Sequence, residues 1–176
     1  MELNFRQIIV RLVLWLLISI PQLLSAQSDT TWYDEGWRKL DDNTFAYYYR
    51  PAPKKVSTGY RITDYYISGT KQMEGISLNA TIENWVGKVV WYYPNTKPSE
   101  IKYYSKPNVV DKEEQYYQNG QLKCTMKYVN NELSGSYLAY HTNGKKAEEG
   151  QFSHGVKAGT WKYYDFNGNL VGTIKY

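Results

Sequence analysis

The side chains that could do acid–base or nucleophilic chemistry in this 176-residue chain are few and scattered. The chain has two histidines, His141 and His154, and one cysteine, Cys124. Both histidines lie beside predicted turns, where a solvated or packing imidazole is favoured over catalysis or metal binding. The equivalent positions one repeat earlier are Tyr117 and Asn130. We therefore do not expect the role of either histidine to be repeated from unit to unit. We therefore expect neither histidine to be part of an active site.

The remaining reactive groups do not converge either. Cys124 alternates with apolar residues, a strand pattern that favours a buried thiol over a nucleophile. The carboxylate pairs Asp41-Asp42 and Glu148-Glu149 would point to opposite faces of a strand. The glycines fall at predicted turns or strand starts and none opens a helix, so no phosphate-binding loop is expected. These patterns predict no catalytic residue, no metal site and no cofactor, and they leave an envelope enzyme as the least favoured hypothesis.

The elements that position these residues follow from a repeat. Three Asn-Gly pairs recur 24 residues apart, at Asn119-Gly120, Asn143-Gly144 and Asn167-Gly168. One tyrosine per unit keeps the same period, in a row formed by Tyr92, Tyr116, Tyr140 and Tyr164. A fixed period of this length is typical of repeat architectures, in which each unit is stable only when stacked on its neighbours.

Each unit is predicted to be a β-hairpin. Two short segments rich in aromatic and β-branched residues flank each Asn-Gly pair, and Asn-Gly favours the two-residue type I′ turn. The second turn of each unit, at Asn130-Asn131 and His154-Gly155, is expected to be looser. The predicted fold is all-β, an elongated antiparallel meander of stacked β-hairpin repeats preceded by an N-terminal signal helix.

Loop length decides which face the tyrosine row occupies. A two-residue loop places the row on a mixed face with Lys, Thr and Glu side chains, opposite an apolar face. That apolar face would carry Tyr117, Leu122, Cys124, Met126 and Tyr128 in one unit and Trp161, Tyr163, Leu170, Ile174 and Tyr176 in another. A three-residue loop would instead bring the row to the apolar face. The row is interpreted either as aromatic stacking along the sheet or as a ligand-binding surface for a peptide or glycan chain.

The first 26 residues are predicted to be a signal peptide. Arg6 and Arg11 give a basic start, Leu12 to Ile20 is a short apolar stretch, and Leu24-Ser25-Ala26 offers a cleavage site. The apolar run is shorter than the roughly 20 residues needed to span a bilayer, so a retained transmembrane helix is the less favoured alternative. The prediction is export to the periplasm or the cell exterior, with no stable membrane span after cleavage.

Composition limits the partners of the mature chain. The net charge of the full chain is only +4, and its lysines are interleaved with acidic residues, so nucleic acid is not expected as a partner. A single cysteine excludes an intrachain disulfide. After the signal peptide (residues 1–26), we predict a degenerate N-terminal cap at residues 27–59 and the repeat domain at residues 60–176.

The repeat units resemble MORN repeat variants, the short hairpin repeats of bacterial proteins described as antitoxin-type MORN proteins. The motif Gly-x-aromatic-x-x-Tyr-x-x-Asn-Gly-x-Leu matches best at Gly159, Trp161, Tyr164, Asn167, Gly168 and Leu170. It matches again at Gly135, Tyr137, Tyr140, Asn143 and Gly144, with Lys146 in place of the leucine. The resemblance covers about residues 60–176 and implies a stacked-hairpin scaffold for binding or assembly, without a known catalytic apparatus.

Three functional hypotheses follow. The leading one is an exported, non-enzymatic β-repeat scaffold that binds another macromolecule at the cell envelope, with a protein as the expected partner. The alternative is a module that binds carbohydrate or envelope polysaccharide, suggested by the many Tyr and Trp residues. The second alternative, implied by the resemblance, is an antitoxin-like neutralising partner.

Overall fold

One antiparallel β-sheet makes up the fold. The computed structural model describes residues 30–81 and 83–176, and within these ranges it contains no helix. In this part of the chain the sheet has 14 strands. They are β1 (Thr31–Tyr33), β2 (Lys39–Leu40), β3 (Tyr48–Arg50), β4 (Lys54–Val56), β5 (Gly59–Tyr66), β6 (Lys71–Ser77), β7 (Trp85–Tyr92), β8 (Pro98–Lys106), β9 (Val109–Tyr116), β10 (Leu122–Val129), β11 (Glu132–Tyr140), β12 (Lys146–Ser153), β13 (Val156–Tyr164) and β14 (Leu170–Lys175).

The strand order confirms the predicted meander. From β5 to β14 each strand pairs antiparallel with the next one along the chain. Before β5 the order changes, because β3 pairs with β5, β1 lies between β3 and β2, and β4 pairs with the start of β5. The cap boundary at residue 59 remains a prediction, and the predicted signal peptide with its helix lies outside the described residues.

All three Asn-Gly pairs lie at chain reversals, but the predicted two-residue type I′ loop is wrong there. At the first pair, the Gly120 N–H donates to the Tyr117 carbonyl (2.8 Å) and the Tyr117 N–H donates to the Gln121 carbonyl (2.9 Å). Gly120 has φ of 90°, whereas Asn119 does not have a positive φ. This is a three-residue loop, a type I turn followed by a glycine in the left-handed region.

The second turn of each unit also differs from the prediction, because it is the tighter turn of the two and not the looser one. Val129 pairs with Glu132 and Ser153 pairs with Val156, which leaves two residues in each loop. Asn130 and Asn131 have φ of 52° and 68°, and the residues of the other loop are also both positive. Two central residues with positive φ are the requirement of a type I′ turn. The tight turns therefore lie at the opposite edge of the sheet from the Asn-Gly loops.

A β-bulge in the strand after the loop compensates for the extra loop residue. Leu122 pairs with Tyr116, as a three-residue loop requires, but a register shift follows and Cys124 pairs with Gln115. A β-bulge of this kind moves the rest of the strand by one residue and reverses its faces. The same shift occurs beside Leu170, which pairs with Tyr164.

The face assignment is therefore confirmed except at two positions. The tyrosine row lies away from the apolar face, as the two-residue loop predicted, although that loop is wrong. Leu122 and Leu170 were assigned to the apolar face, and they lie with the tyrosines instead. The reason is that both leucines precede the bulge in their strands. Below, the face with the tyrosine row is called the tyrosine face, and the opposite face is called the core face.

Side chains at the Asn-Gly edge connect consecutive units. Within its own turn, Asn119 Oδ1 accepts the Gln121 N–H (2.9 Å), while its Nδ2 donates to the Thr142 carbonyl of the next turn (2.8 Å). Asn143 repeats both contacts one unit later. The recurring asparagine thus closes its own loop and also links it to a loop 23 residues away.

A second set of contacts runs beside the asparagines. The Tyr117 hydroxyl donates to the Tyr140 carbonyl (2.8 Å). His141 occupies the same position one unit later, and its Nε2 lies 3.0 Å from the Tyr164 carbonyl oxygen. Because a carbonyl oxygen only accepts, Nε2 carries the proton. The expectation that the His141 role does not recur is wrong, since tyrosine and histidine perform the same structural task.

We expect Asn119→Ala to lower the free energy of unfolding by about 1 kcal/mol, because it removes both the loop-closing and the loop-linking hydrogen bond. Asn119→Asp keeps an acceptor for the Gln121 N–H but loses the donor to the Thr142 carbonyl. We expect a comparable loss of unfolding free energy, because the hydrogen bond that links the two loops is removed. Urea unfolding followed by tryptophan fluorescence measures both. An Asn119→Asp variant as stable as the parent would show that the link between turns adds no stability.

Most of the core lies along one side of this single sheet, although the buried Ile101 lies on the tyrosine face. In the N-terminal half, Ile62, Met73, Trp85 and Val89 form a buried cluster. In the C-terminal half, Trp161 is 0% exposed. Its ring packs near Tyr137, Phe152 and Tyr176. These residues all belong to the core face, so large rings provide the burial that a second layer would provide in a sandwich.

A charged group is also buried in this core. Asp64 is 1% exposed and accepts two hydrogen bonds from Arg50, at 2.6 and 2.8 Å. Arg50 also contacts Glu83 at 2.9 Å. Burial by itself would lower the pKa of Arg50, but the hydrogen bonds and charges of the two carboxylates outweigh burial and raise it. Burial raises the pKa of Asp64, and the Arg50 guanidinium opposes that rise.

Candidate functional site

The tyrosine face carries the candidate binding residues. Tyr92, Tyr116, Tyr140 and Tyr164 are each half-buried, and each lies at the strand end next to an Asn-Gly-type loop. Strand pairing puts them on one face, because side chains alternate along every strand and the bulges restore that alternation. The structure thus brings the four predicted residues onto one surface. Whether they bind a ligand stays a prediction.

Two of these tyrosines are held by glutamates. Glu114 Oε2 accepts hydrogen bonds from the Tyr116 hydroxyl (2.9 Å) and the Tyr103 hydroxyl (3.0 Å), while Glu114 Oε1 pairs with Lys112 (2.6 Å). Burial and the hydrogen bond to the Glu114 carboxylate raise the pKa of Tyr116 to about 12. The phenol therefore stays protonated at neutral pH and acts as a hydrogen-bond donor.

An equivalent cluster surrounds Glu149. Its carboxylate contacts Lys146 Nζ (2.6 Å) and Lys162 Nζ (3.2 Å), and it accepts a hydrogen bond from Tyr164 (2.6 Å). The hydrogen bonds from Lys146 and Tyr164 lower the pKa of Glu149 to about 2. The carboxylate is thus charged throughout the physiological pH range. Tyr164 also lies beneath the Lys146 ammonium, which is 5.3 Å from the ring centre.

A shallow open groove of about 430 Å³ on the tyrosine face is lined in part by Glu149 and Lys162, and Thr125 in its lining pairs with Glu114 of the other cluster. Leu138 lies in the middle of the groove, with Thr125 on one side and Glu149 and Lys162 on the other. The groove crosses β10 to β13, perpendicular to the strands. A segment lying in it would meet one apolar side chain, several hydroxyl groups and a fixed ion pair.

The charges of the tyrosine face are unequal. Strand pairing places these lysines on it: Lys71, Lys88, Lys112, Lys127, Lys146 and Lys162. The glutamates that strand pairing places on the same face are Glu74, Glu114, Glu132 and Glu149. Because the lysines outnumber the glutamates, the surface carries a net positive charge and favours a partner with acidic groups.

The structure disperses the other reactive groups. His154 is paired with Glu132 at an exposed turn, and His141 is a structural donor at the opposite sheet edge. Burial raises the pKa of the Cys124 thiol, which is 5% exposed. Glu148 pairs with Lys157 on the core face and Glu149 with Lys146 on the other. Among the described residues, no group of three or more His, Cys, Asp or Glu side chains could hold a metal ion.

Sequence reasoning missed the two glutamate clusters. A signal was present, because Glu114 precedes Tyr116 by two residues and therefore shares its strand face. The contribution of Tyr103 was not visible, since it comes from the neighbouring strand and depends on register. Glu149 and Tyr164 are likewise 15 residues apart and meet only across two paired strands.

The fold and this surface define an all-β protein built from stacked β-hairpins, in which the exposed features are broad sheet faces. Three consecutive segments match the MORN repeat variant, at residues 112–130, 133–154 and 157–176. The resemblance predicted from the motif is confirmed for these three repeats. Such repeats are typically non-catalytic binding or scaffold modules. Among curated proteins, none matches the chain.

The matched segments cover only the C-terminal repeats, yet the hairpins before them share the same contacts. Asn95 Nδ2 donates to the Gln118 carbonyl (2.9 Å), and the Tyr93 hydroxyl donates to the Tyr116 carbonyl (2.7 Å). The repeat geometry therefore extends upstream of residue 112.

Across residues 30–81 and 83–176, no helix is long and apolar enough to cross a membrane.

Proposed function

We propose that this protein is an exported, non-enzymatic scaffold that binds an acidic protein partner at the cell envelope through its tyrosine face. The observation that carries the proposal is the groove across β10 to β13, which the Glu149 cluster lines and the Glu114 cluster adjoins. A protein segment suits this surface because the hydroxyl groups and the ion pair can bond backbone and side-chain groups while Leu138 and the tyrosine rings provide apolar area.

Charge supports an acidic partner over a neutral one. The lysine excess on the tyrosine face would attract such a partner and speed its association at low salt. Half-buried tyrosines suit a binding surface because they give a large contact area and have few rotamers to lose. Their hydroxyl groups are already oriented by Glu114 and Glu149, which reduces the cost of ordering them on binding.

Export is part of the proposal and rests on the sequence alone. The basic start, the short apolar stretch and the Leu24-Ser25-Ala26 site motivate it. Fractionation of cells expressing the chain with a C-terminal tag, followed by N-terminal sequencing, tests it directly. We expect the chain to begin at Gln27 outside the cytoplasm, and an intact cytoplasmic chain would contradict this part of the proposal.

The partner is sought by crosslinking in intact cells, and its affinity is then measured with purified proteins. We expect Tyr116→Ala combined with Tyr140→Ala to weaken binding about tenfold, because large aromatic side chains carry much of the energy of protein interfaces. Lys112→Glu and Lys162→Glu should slow association and flatten its salt dependence, since they reverse the charge that attracts the partner.

Two controls separate binding from folding. His154→Ala changes an exposed turn residue outside the groove, so it should bind like the parent. Urea unfolding of each variant shows whether the fold is kept. If the folded tyrosine and lysine variants bind the partner as tightly as the parent, or if no protein is crosslinked, the proposal fails.

A further inference from the structure

A hollow of about 320 Å³ lies on the core face near the N-terminal end of the sheet, away from the tyrosine face. Its aromatic lining comes from Tyr33, Trp37, Trp85 and Trp91. Its polar lining comes from Arg50, Asp64, Gln72 and Glu83. The volume is at the small end of the roughly 300–1,000 Å³ that ligand sites span. Aromatic walls with a few fixed polar groups are the usual composition of such sites.

The polar groups are fixed in place. Arg50 is held by two bonds to Asp64 and a third to Glu83, so none of these side chains has to be ordered when a ligand enters. Gln72 lines the same hollow, and its Oε1 is buried with no hydrogen-bond partner among the residues that the structure describes. A buried acceptor without a partner is costly, so a ligand that donates a hydrogen bond to it would gain affinity.

Trp37 gives a second indication of a ligand site. It has φ of 61°, a conformation that a large L-residue rarely adopts and that tends to occur at functional sites. Its ring is stacked on Tyr48, with 4.4 Å between ring centres, and the side chain is 38% exposed. This backbone places a fixed, partly exposed indole among the residues that line the hollow.

We propose that this hollow binds one sugar ring of an uncharged glycan. The tryptophan rings offer flat apolar surfaces to the C–H faces of a pyranose, and the Glu83 carboxylate and Gln72 accept hydrogen bonds from its hydroxyl groups. Asp64 and Glu83 together exceed the charge of Arg50, which disfavours phosphates and other anions. The guanidinium within the lining disfavours a cationic ligand. A neutral polyol with apolar faces fits both constraints.

The test uses the full chain as it is isolated and a panel of methyl glycosides of glucose, galactose, mannose and N-acetylglucosamine. Binding is followed by the NMR signals of the tryptophan indole N–H groups. We expect at least one glycoside to give a saturable shift of the Trp85 and Trp91 signals. A second arm uses β-linked disaccharides and distinguishes a site for one free ring from a site for a ring within a chain, which would bind more tightly.

Variants connect the shift to the hollow. Trp37→Ala should weaken binding about tenfold because it removes one ring surface. Glu83→Gln retains shape while removing one charge and should weaken it less. Phe45→Ala is the matched control, an exposed aromatic of the same region that does not line the hollow. Thermal unfolding verifies that each variant is folded.

Three outcomes would overturn the proposal. The first is that no glycoside or disaccharide of the panel shifts the indole signals. The second is that folded Trp37→Ala and Glu83→Gln bind sugar as tightly as the parent. The third is that tetramethylammonium shifts these signals while the sugars do not, which would identify an aromatic site for cations. All three outcomes concern the hollow and not the tyrosine face. The proposed binding of a protein partner to the tyrosine face is therefore tested separately.

Discussion

Asp64→Asn is expected to lower the free energy of unfolding by about 3 kcal/mol. The substitution keeps the shape of the side chain but leaves Arg50 half-buried with only Glu83 as a charged partner. A buried cation that loses its counter-charge is far less stable than the intact pair. Chemical unfolding monitored by fluorescence and circular dichroism measures the loss.

A double variant separates the pair from the packing around it. Arg50→Leu combined with Asp64→Leu removes both charges, and apolar replacements of a buried pair are often neutral or stabilising. We therefore expect the double variant to be more stable than Asp64→Asn. Similar stability of Asp64→Asn and the parent would show that the ion pair does not stabilise the N-terminal end of the sheet.

Gly150→Ala is expected to destabilise the protein by about 3 kcal/mol, at the upper end of typical overpacking costs. A Cβ atom at Gly150 would lie 2.2 Å from Cδ2 and 2.4 Å from Cε2 of Trp161. Trp161 cannot move away easily, because it is fully buried and its indole N–H donates to the Gln151 carbonyl (3.1 Å). The loss should appear in urea unfolding, with a change in the near-UV signal of Trp161.

Gly172 provides the matched control on the neighbouring strand pair. A Cβ atom there would meet no other atom within 4 Å, and this glycine does not have a positive φ. Gly172→Ala should therefore change the free energy of unfolding by less than about 0.5 kcal/mol. Equal effects of the two substitutions would show that strand propensity, and not contact with Trp161, limits residue size at Gly150.

Much of the candidate surface was predictable because strand alternation is a local rule. Once the strands were located, Tyr116 and Glu114 had to share a face. The hollow at the N-terminal end was not predictable in this way. Its three charged groups, Arg50, Asp64 and Glu83, come from β3, β5 and the segment before β7, and nothing in their spacing indicates that they meet.

The loops show why local preference was not enough. Asn-Gly fits a type I′ turn and also a type I turn followed by a left-handed glycine, so the pair alone does not choose. In the folded chain the Asn119 side chain bonds both its own loop and the Thr142 carbonyl of the next. That second contact forms only when units are stacked, so the sequence of a single hairpin does not predict it.

The repeat period, the hairpin units and the tyrosine row were determined by the sequence itself, because side-chain periodicity and turn residues act over a few neighbouring positions. The tertiary structure decided the loop type, the bulges beside Leu122 and Leu170, the glutamate clusters and the N-terminal hollow. These depend on contacts between residues that lie far apart along the chain, and their energies arise only when neighbouring strands are in register.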